Sequence, residues 1–180
     1  MGLHVHEDGE TARAKHYPKT MAFIQAFAEK MNSIPSRAVL ARLEPNDQVY
    51  AHFDIGFYYL VRDRYHLVIR SPKGSRMRCL DQTAIWKPGE LWWFNNKVQH
   101  EAFNQDNSWR THLIFDLLPK HLIPLMERIK SFTPYYQDIR AIEQAVGNSE
   151  SPEYSETVDP AIVESLRSQI MDLSTKRPPS

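Results

Sequence analysis

The chain is expected to fold as a mainly β domain with flanking helices, its strands forming a barrel or sandwich of the jelly-roll kind. Three observations point there. The middle of the chain loses any helical period and breaks into short runs rich in β-branched and aromatic residues. Those runs are punctuated at Pro45-Asn46-Asp47, Ser71-Pro72-Lys73-Gly74 and Lys87-Pro88-Gly89 by residues that favour turns. Apolar residues three and four apart return only on either side of this region. Many short strands at regular spacing argue for a closed or double-layered β structure rather than a parallel sheet.

The elements follow in order. Residues 1–17 are polar and carry His4, His6 and His16, and are expected to be a flexible lead-in. His4 and His6 form a weak metal-binding pattern, which at a free terminus more commonly means solvated side chains. From Pro18 to Asn32, Met21, Ile24, Phe27, Ala28 and Met31 make one apolar stripe, so this segment is expected to be a helix lying on the outside of a sheet. Strands are expected at 38–43, 48–53, 56–62, 66–70, 76–80, 84–86, 90–94, 101–103 and 111–117. Alternation sends Trp92 and Trp93 to opposite faces, one between sheets and one under a helix. After Pro119 the helical period returns at 121–132, 136–146 and 159–173, the last with Asp159 as N-cap and Pro160 in the first turn. Residues 147–157 read as a polar loop. Residues 18–120 are expected to form the core and 121–180 to belong to the same domain, as a lid, a dimer surface or a buttress.

Composition bounds the function. A chain of 180 residues, 42% hydrophobic and 11% aromatic, can bury one substantial core. Its 22 basic and 22 acidic side chains cancel, leaving no bulk field to draw nucleic acid or an anionic membrane. Cys79, the single cysteine, cannot form an internal disulfide, and no apolar leader opens the sequence. Both features lead to the expectation of a reducing cytoplasm, with no nucleic-acid or membrane partner. The oligomeric state is not encoded legibly.

One pattern carries chemistry. His52-Phe53-Asp54 in an extended strand would put His52 and Asp54 on the same face, able to grip one metal ion. His100 would complete the set. Two imidazoles and a carboxylate on one side of an octahedral ion make the 2-His-1-carboxylate triad of non-haem Fe(II) oxygenases, with positions left open for O2 and a cosubstrate. Arg110 offers a planar, always charged fork for a carboxylate at arm's length, such as the far carboxylate of 2-oxoglutarate. A His-x-Asp alone is common by chance. Its order with His100 and Arg110, within a β-rich region, is what gives it weight.

Further residues sharpen the pattern: Arg64-Tyr65-His66-Leu67, Trp86-Lys87-Pro88-Gly89-Glu90, Trp93-Phe94-Asn95-Asn96, His100-Glu101, Asn104, and Arg110 through Asp116 (RTHLIFD). Together, over residues 37–120, they resemble the aspartyl/asparaginyl β-hydroxylase family. The resemblance implies a double-stranded β-helix core, jelly-roll and cupin-like, and Fe(II)- and 2-oxoglutarate-dependent hydroxylation of an unactivated carbon. It implies that His52 and His100 bind iron, that His66, with Arg64 nearby, contacts the metal-side carboxylate of 2-oxoglutarate, and that Arg110 anchors the far one. By the same resemblance the target is the β-carbon of an aspartyl or asparaginyl residue, or a related amino-acid-derived small molecule or peptide.

The chain departs from the family in two places. Some members carry glycine where Asp54 stands and bind iron through histidines only. A hydroxyl that helps hold the far carboxylate in some relatives would fall near Ala41, so Tyr50, Tyr59 or a water would have to replace it.

Several side chains keep two readings. His66 and His112 can be pocket residues or buried structural histidines. Phe57, Tyr58, Tyr59, Trp92, Trp93 and Phe94 can line a pocket or fill a core. Asn95, Asn96 and Asn104 can support the metal ligands or simply make turns. Arg62, Arg70, Arg76 and Arg78 are candidate cations for an acidic substrate. Two rival classes remain: a metal-binding cupin without oxygenase activity, such as an isomerase or small-molecule sensor, and a catalytically silent interaction module.

Overall fold

In the computed structural model, residues 14–125 and 155–175 are described. The expectations for residues 1–13, for the helix at 136–146 and for most of those at 121–132 and 147–154 lie outside them. The strands among the described residues are β1 (Ser33–Leu43), β2 (Asp47–His52), β3 (Asp63–Arg70), β4 (Ser75–Cys79), β5 (Gln82–Ala84), β6 (Glu90–Trp93), β7 (His100–Asn104), β8 (Arg110–Pro119) and β9 (Ser155–Thr157). The helices are α1 (Pro18–Lys30), the one-turn α2 (Phe57–Leu60) and α3 (Pro160–Thr175), with short 3-10 turns before α1 and after β8. None of the described helices is long and apolar enough to cross a membrane.

The strands form a five-stranded sheet, β1-β8-β3-β6-β9, and a four-stranded sheet, β2-β7-β4-β5. β1 pairs with β8, β2 with β7, β3 with β6 and β4 with β5, all antiparallel. That is the pairing of one long antiparallel ribbon, closed at the β4–β5 hairpin and coiled on itself, and it defines the expected jelly roll. Gly74 lets the coil close tightly: a Cβ there would stand 2.2 Å from the carbonyl oxygen of Gln105, so no other residue fits without moving the backbone.

Alternation in β3 and β8 assigns every second residue to one face. On the outer face, Tyr65, Leu67, Ile69, Leu113, Phe115 and Leu117 join Ile24, Phe27 and Ala28 of α1 and Val163, Leu166 and Ile170 of α3 in one apolar cluster. Trp93 packs there, whereas Trp92 packs between the sheets with Leu43, Val68, Met77, Trp86 and Ala102, as alternation requires. The two helices are tied together by Gln169 Oε1, which accepts from the backbone N and hydroxyl of Thr20 at 3.2 Å each. Of the three roles open to the C-terminal helices, α3 takes that of buttress. Asp159 caps it as expected, accepting from the Ala161 N–H at 2.7 Å.

Three expectations need correction. Residues 56–62 do not form a strand: Gly56, at φ 121°, turns the chain, and the N–H groups of Tyr59 and Leu60 bond back to its carbonyl to close the turn of α2. The β propensity of Phe57-Tyr58-Tyr59 reflects how aromatics pack on pleated surfaces, and here the aromatic run instead follows a glycine bend. The polar stretch 147–157 ends in an edge strand, β9, laid against β6 with Leu91 opposite Glu156. Trp86 lies outside any strand, since β5 stops at Ala84.

Candidate metal centre

His52 and His100 are directly opposed on β2 and β7, which brings their ring centroids to 4.2 Å. Each ring is oriented by the backbone carbonyl two residues before it: His52 Nδ1 lies 2.7 Å from the Tyr50 carbonyl and His100 Nδ1 2.9 Å from that of Val98. A ring that donates through Nδ1 to a carbonyl presents Nε2 as a lone pair, the state a metal requires. Burial lowers the pKa of His100, further favouring the neutral ring, although its bond to Val98 opposes the shift.

Asp54 comes two residues after β2 ends, yet still faces the histidines because its N–H bonds to the carbonyl of Asn96 at 3.0 Å and prolongs the strand's path. His52, Asp54 and His100 each present a ligand atom, and these atoms lie within 4.8 Å of one another. Both side-chain bonds to Asp54, from Arg64 Nη1 at 2.5 Å and Asn96 Nδ2 at 2.8 Å, land on Oδ2. Oδ1 is thereby left for an ion. Two imidazoles and a carboxylate in a half-open cluster suit a six-coordinate divalent metal better than a closed structural zinc site, which would take four protein ligands.

Arg64 is committed to holding this cluster. Its Nε and Nη2 grip the two oxygens of Asp116 at 2.7 and 2.9 Å while Nη1 reaches Asp54. Tyr58 adds a hydroxyl bond to Asp116 Oδ2 at 3.1 Å. Desolvation opposes the charge on Arg64, but its hydrogen bond and ion pair with Asp116, together with the charge of Asp54, outweigh that and raise its pKa above the ordinary value. Arg64 thus orients a candidate ligand rather than standing free for a cosubstrate carboxylate.

A row of side chains leads away from the cluster along the interior. Phe94 lies 5.0 Å from His100, His66 lies 5.2 Å from Phe94, and His112 lies 5.8 Å from His66, all between ring centroids. At its end Arg110 Nη2 donates to His112 Nδ1 at 3.3 Å. Arg110 is 5% exposed, and among the described residues no carboxylate lies within ion-pair distance of it. Its Nε, both nitrogens of His66 and Nε2 of His112 are buried with no hydrogen-bond partner. Burial drives the pKa of Arg110 down to about 10 and holds His66 and His112 neutral well below their ordinary 6.5, with Arg110 a second cause for both histidines. Four orphaned polar atoms around a buried cation are a costly arrangement for a core and a fitting one for an anion.

The structure therefore assembles His52, Asp54 and His100 and lines His66 and Arg110 along the same interior. Of the asparagines, Asn96 supports Asp54, whereas Asn104 staples a turn through the carbonyls of Leu43, Glu44 and Ser108. The four candidate cations do not face this space. Arg62 bonds Ser36 and the Tyr58 carbonyl, Arg78 pairs with Glu101, and Arg70 and Arg76 are exposed. Asp116 is a supporting residue that sequence reasoning left without a role, and Tyr58, read there as pocket or core, supports Asp116 in turn. Asp116 shares the parity of Arg110 and His112, a signal that would have placed it inside. A surface hollow of about 360 Å³ lies elsewhere, between the β3–β4 turn and α3, remote from every ligand-type side chain of the cluster.

Fold and site together define a jelly-roll domain with a two-histidine, one-carboxylate cluster and, further along the same interior, a buried cation without a counter-ion. The chain belongs to the aspartyl/asparaginyl β-hydroxylase family, whose sequence model matches residues 1–119. It is 28% identical over 115 residues to the aspartyl/asparaginyl beta-hydroxylase of Mus musculus, and 27% identical over the same length to that of Homo sapiens. Each match covers 63% of this chain, which spans only 15% of either relative. Among solved structures, a non-heme monooxygenase, the ThoJ–nickel complex, superposes with a TM-score of 0.43 at 15% identity, covering 59% of this chain and 52% of the other.

Proposed function

We propose that this protein is an Fe(II)- and 2-oxoglutarate-dependent dioxygenase that hydroxylates an unactivated carbon, with His52, Asp54 and His100 holding the metal. The observation that carries the proposal is Arg110: a cation 5% exposed, without an acidic partner among the described residues, at the end of the row of side chains that begins at the His-Asp-His cluster. A metal-binding cupin without oxygenase activity has no need of such a cation, and a silent interaction module has no need of the assembled cluster. Family membership supports the same reading.

The chain's own residues then have distinct tasks. His52 and His100 offer Nε2 because backbone carbonyls occupy Nδ1, and Asp54 offers Oδ1 because Arg64 and Asn96 hold Oδ2. Arg110 pairs with the far carboxylate of 2-oxoglutarate, and His66, neutral and unpartnered, stands on the wall between it and the metal as a donor toward the cosubstrate. Trp86, Trp92 and Phe94 wall off water, which strengthens each of these contacts. With both bound, O2 would be the oxidant, iron would activate it and 2-oxoglutarate would give up two electrons on its decarboxylation to succinate, while the protein supplies orientation. The substrate proposed is an aspartyl or asparaginyl side chain, or a related amino-acid-derived molecule or peptide, in a cytoplasmic setting.

Anaerobic titration of the protein with Fe(II) and then 2-oxoglutarate tests this. The expected result is the weak visible charge-transfer band of a chelated 2-oxo acid, absent in His100→Ala. Metal binding without the band would favour the non-oxygenase cupin.

A further inference from the structure

We propose that His112 is a second anchor for the far carboxylate of the cosubstrate, a donor paired with Arg110 in place of the hydroxyl that Ala41 cannot supply. The inference rests on the proposed function and adds to it a binding residue that the chain's motifs leave undecided.

Geometry fixes which nitrogen donates. A guanidinium has only donors, so the 3.3 Å contact between Arg110 Nη2 and His112 Nδ1 makes Nδ1 the acceptor. The neutral ring then carries its proton on Nε2. That nitrogen is buried, in a side chain 1% exposed, and meets no acceptor among the described residues. A protein does not ordinarily bury an N–H unpaired, and each such group in a native fold asks for a missing partner. Arg110 Nε is orphaned in the same way. The two residues are i and i+2 on β8 and share a face, so one acceptor group can serve both.

The register gives the second argument. Ala41 on β1 stands directly opposite His112 on β8, and directly opposed residues share a face of the sheet. A methyl at position 41 therefore leaves the donor task to its cross-strand neighbour. The tyrosines do not take it. Tyr50 is 75% exposed, and the Tyr59 hydroxyl accepts from Arg37 with its ring 5.0 Å from Arg64, at the metal end of the site. His112 also stacks on Trp86, with ring centroids 5.9 Å apart at 26°, which holds the imidazole plane in place.

The test compares two 2-oxo acids on the anaerobic Fe(II)-loaded protein by calorimetry: 2-oxoglutarate, which has the far carboxylate, and 2-oxobutyrate, which lacks it. Replacing His112 by Phe should weaken 2-oxoglutarate about tenfold or more, the usual loss of a hydrogen bond to a charged group, and leave 2-oxobutyrate unchanged. His112→Gln, which keeps a donor, should retain most of the preference, and adding Ala41→Ser to His112→Phe should restore part of it. Because His112→Phe could fail to fold, a second measurement uses the unmutated Zn(II)-loaded protein with 15N-labelled histidine. There the His112 Nε2–H resonance should shift and become protected with 2-oxoglutarate and not with 2-oxobutyrate. Equal losses for both acids, no loss, or an unmoved resonance would overturn the role of His112 alone. A wild-type protein that binds 2-oxoglutarate no better than 2-oxobutyrate would instead remove the carboxylate site, and the proposed function with it.

Discussion

The five-stranded sheet is covered on both sides, but its two faces are built to opposite rules. Under α1 and α3, Leu67, Leu113 and Phe115 are at most 1% exposed and belong to one apolar and aromatic cluster. On the inner face of the same strands, Arg64, His66, Arg110, His112 and Asp116 are buried too, at 1–8% exposure, and four of their nitrogens lack partners. Burial alone thus does not define the core. The outer face supplies the stability that lets the inner face keep desolvated charges, an expense a fold retains where a ligand completes the set.

The sharpest way to break this contrast is to damage the outer face. Phe115 packs on Phe27 at 5.7 Å and on Tyr65 at 5.7 Å between centroids, and Phe115→Ala should cost about 3–5 kcal/mol in urea unfolding. Next in size is the one ion pair cluster that makes the inner face tolerable. Asp116→Asn should cost about 3 kcal/mol, at the low end for a broken buried pair because Asp54 still faces Arg64, and should also weaken metal binding by releasing Arg64. Arg110→Met carries the opposite sign for stability: with no counter-ion to orphan, it should leave the metal-free fold as stable or up to about 2 kcal/mol more so. The same variant should lose about 2–5 kcal/mol of 2-oxoglutarate affinity, read by calorimetry. A fold that Arg110→Met destabilises would mean the arginine is structural.

Smaller effects come from the buried rings and the helix cap. His66 and His112 have pKa values well below 6.5 in the folded protein, mainly through desolvation, and return to that value on unfolding. The unfolded chain then binds more protons below 6.5, so their contribution is complete above that pH and is lost as pH falls toward the folded values. The slope should be about 1.4 kcal/mol per pH unit for each ring, and a His66→Gln, His112→Gln double variant should flatten it in pH-dependent denaturation curves. Least of all, Asp159→Ala removes the cap of α3 and should cost about 1 kcal/mol without touching metal affinity.

What was legible in the sequence were the features set by local period and by residue chemistry. Alternation placed Trp92 and Trp93 on opposite faces, the three-and-four spacing found α1 and α3, and His52, Asp54 and His100 stood out by their order with Arg110 inside a β-rich region. The turn at Gly56 was not legible, because the aromatic run after it has the composition of a strand and only the path of the chain past Asp54 makes it a helix. Nor was the task of Arg64. The family resemblance set it beside His66 at the cosubstrate, whereas the register of β3 against β8 sets it opposite Asp116 and so commits its fork to an acid.

The sequence by itself determined that the chain forms a β domain clad in helices, and which residue types are available to hold an ion and an anion. Only the tertiary structure decided which of them meet. Cross-strand register is a property of paired strands distant in the chain: it opposes His52 to His100, sets Ala41 against His112, and leaves Arg110 buried with no carboxylate in ion-pair reach among the described residues. Local sequence sets which side of a strand a residue faces; pairing sets what it faces there.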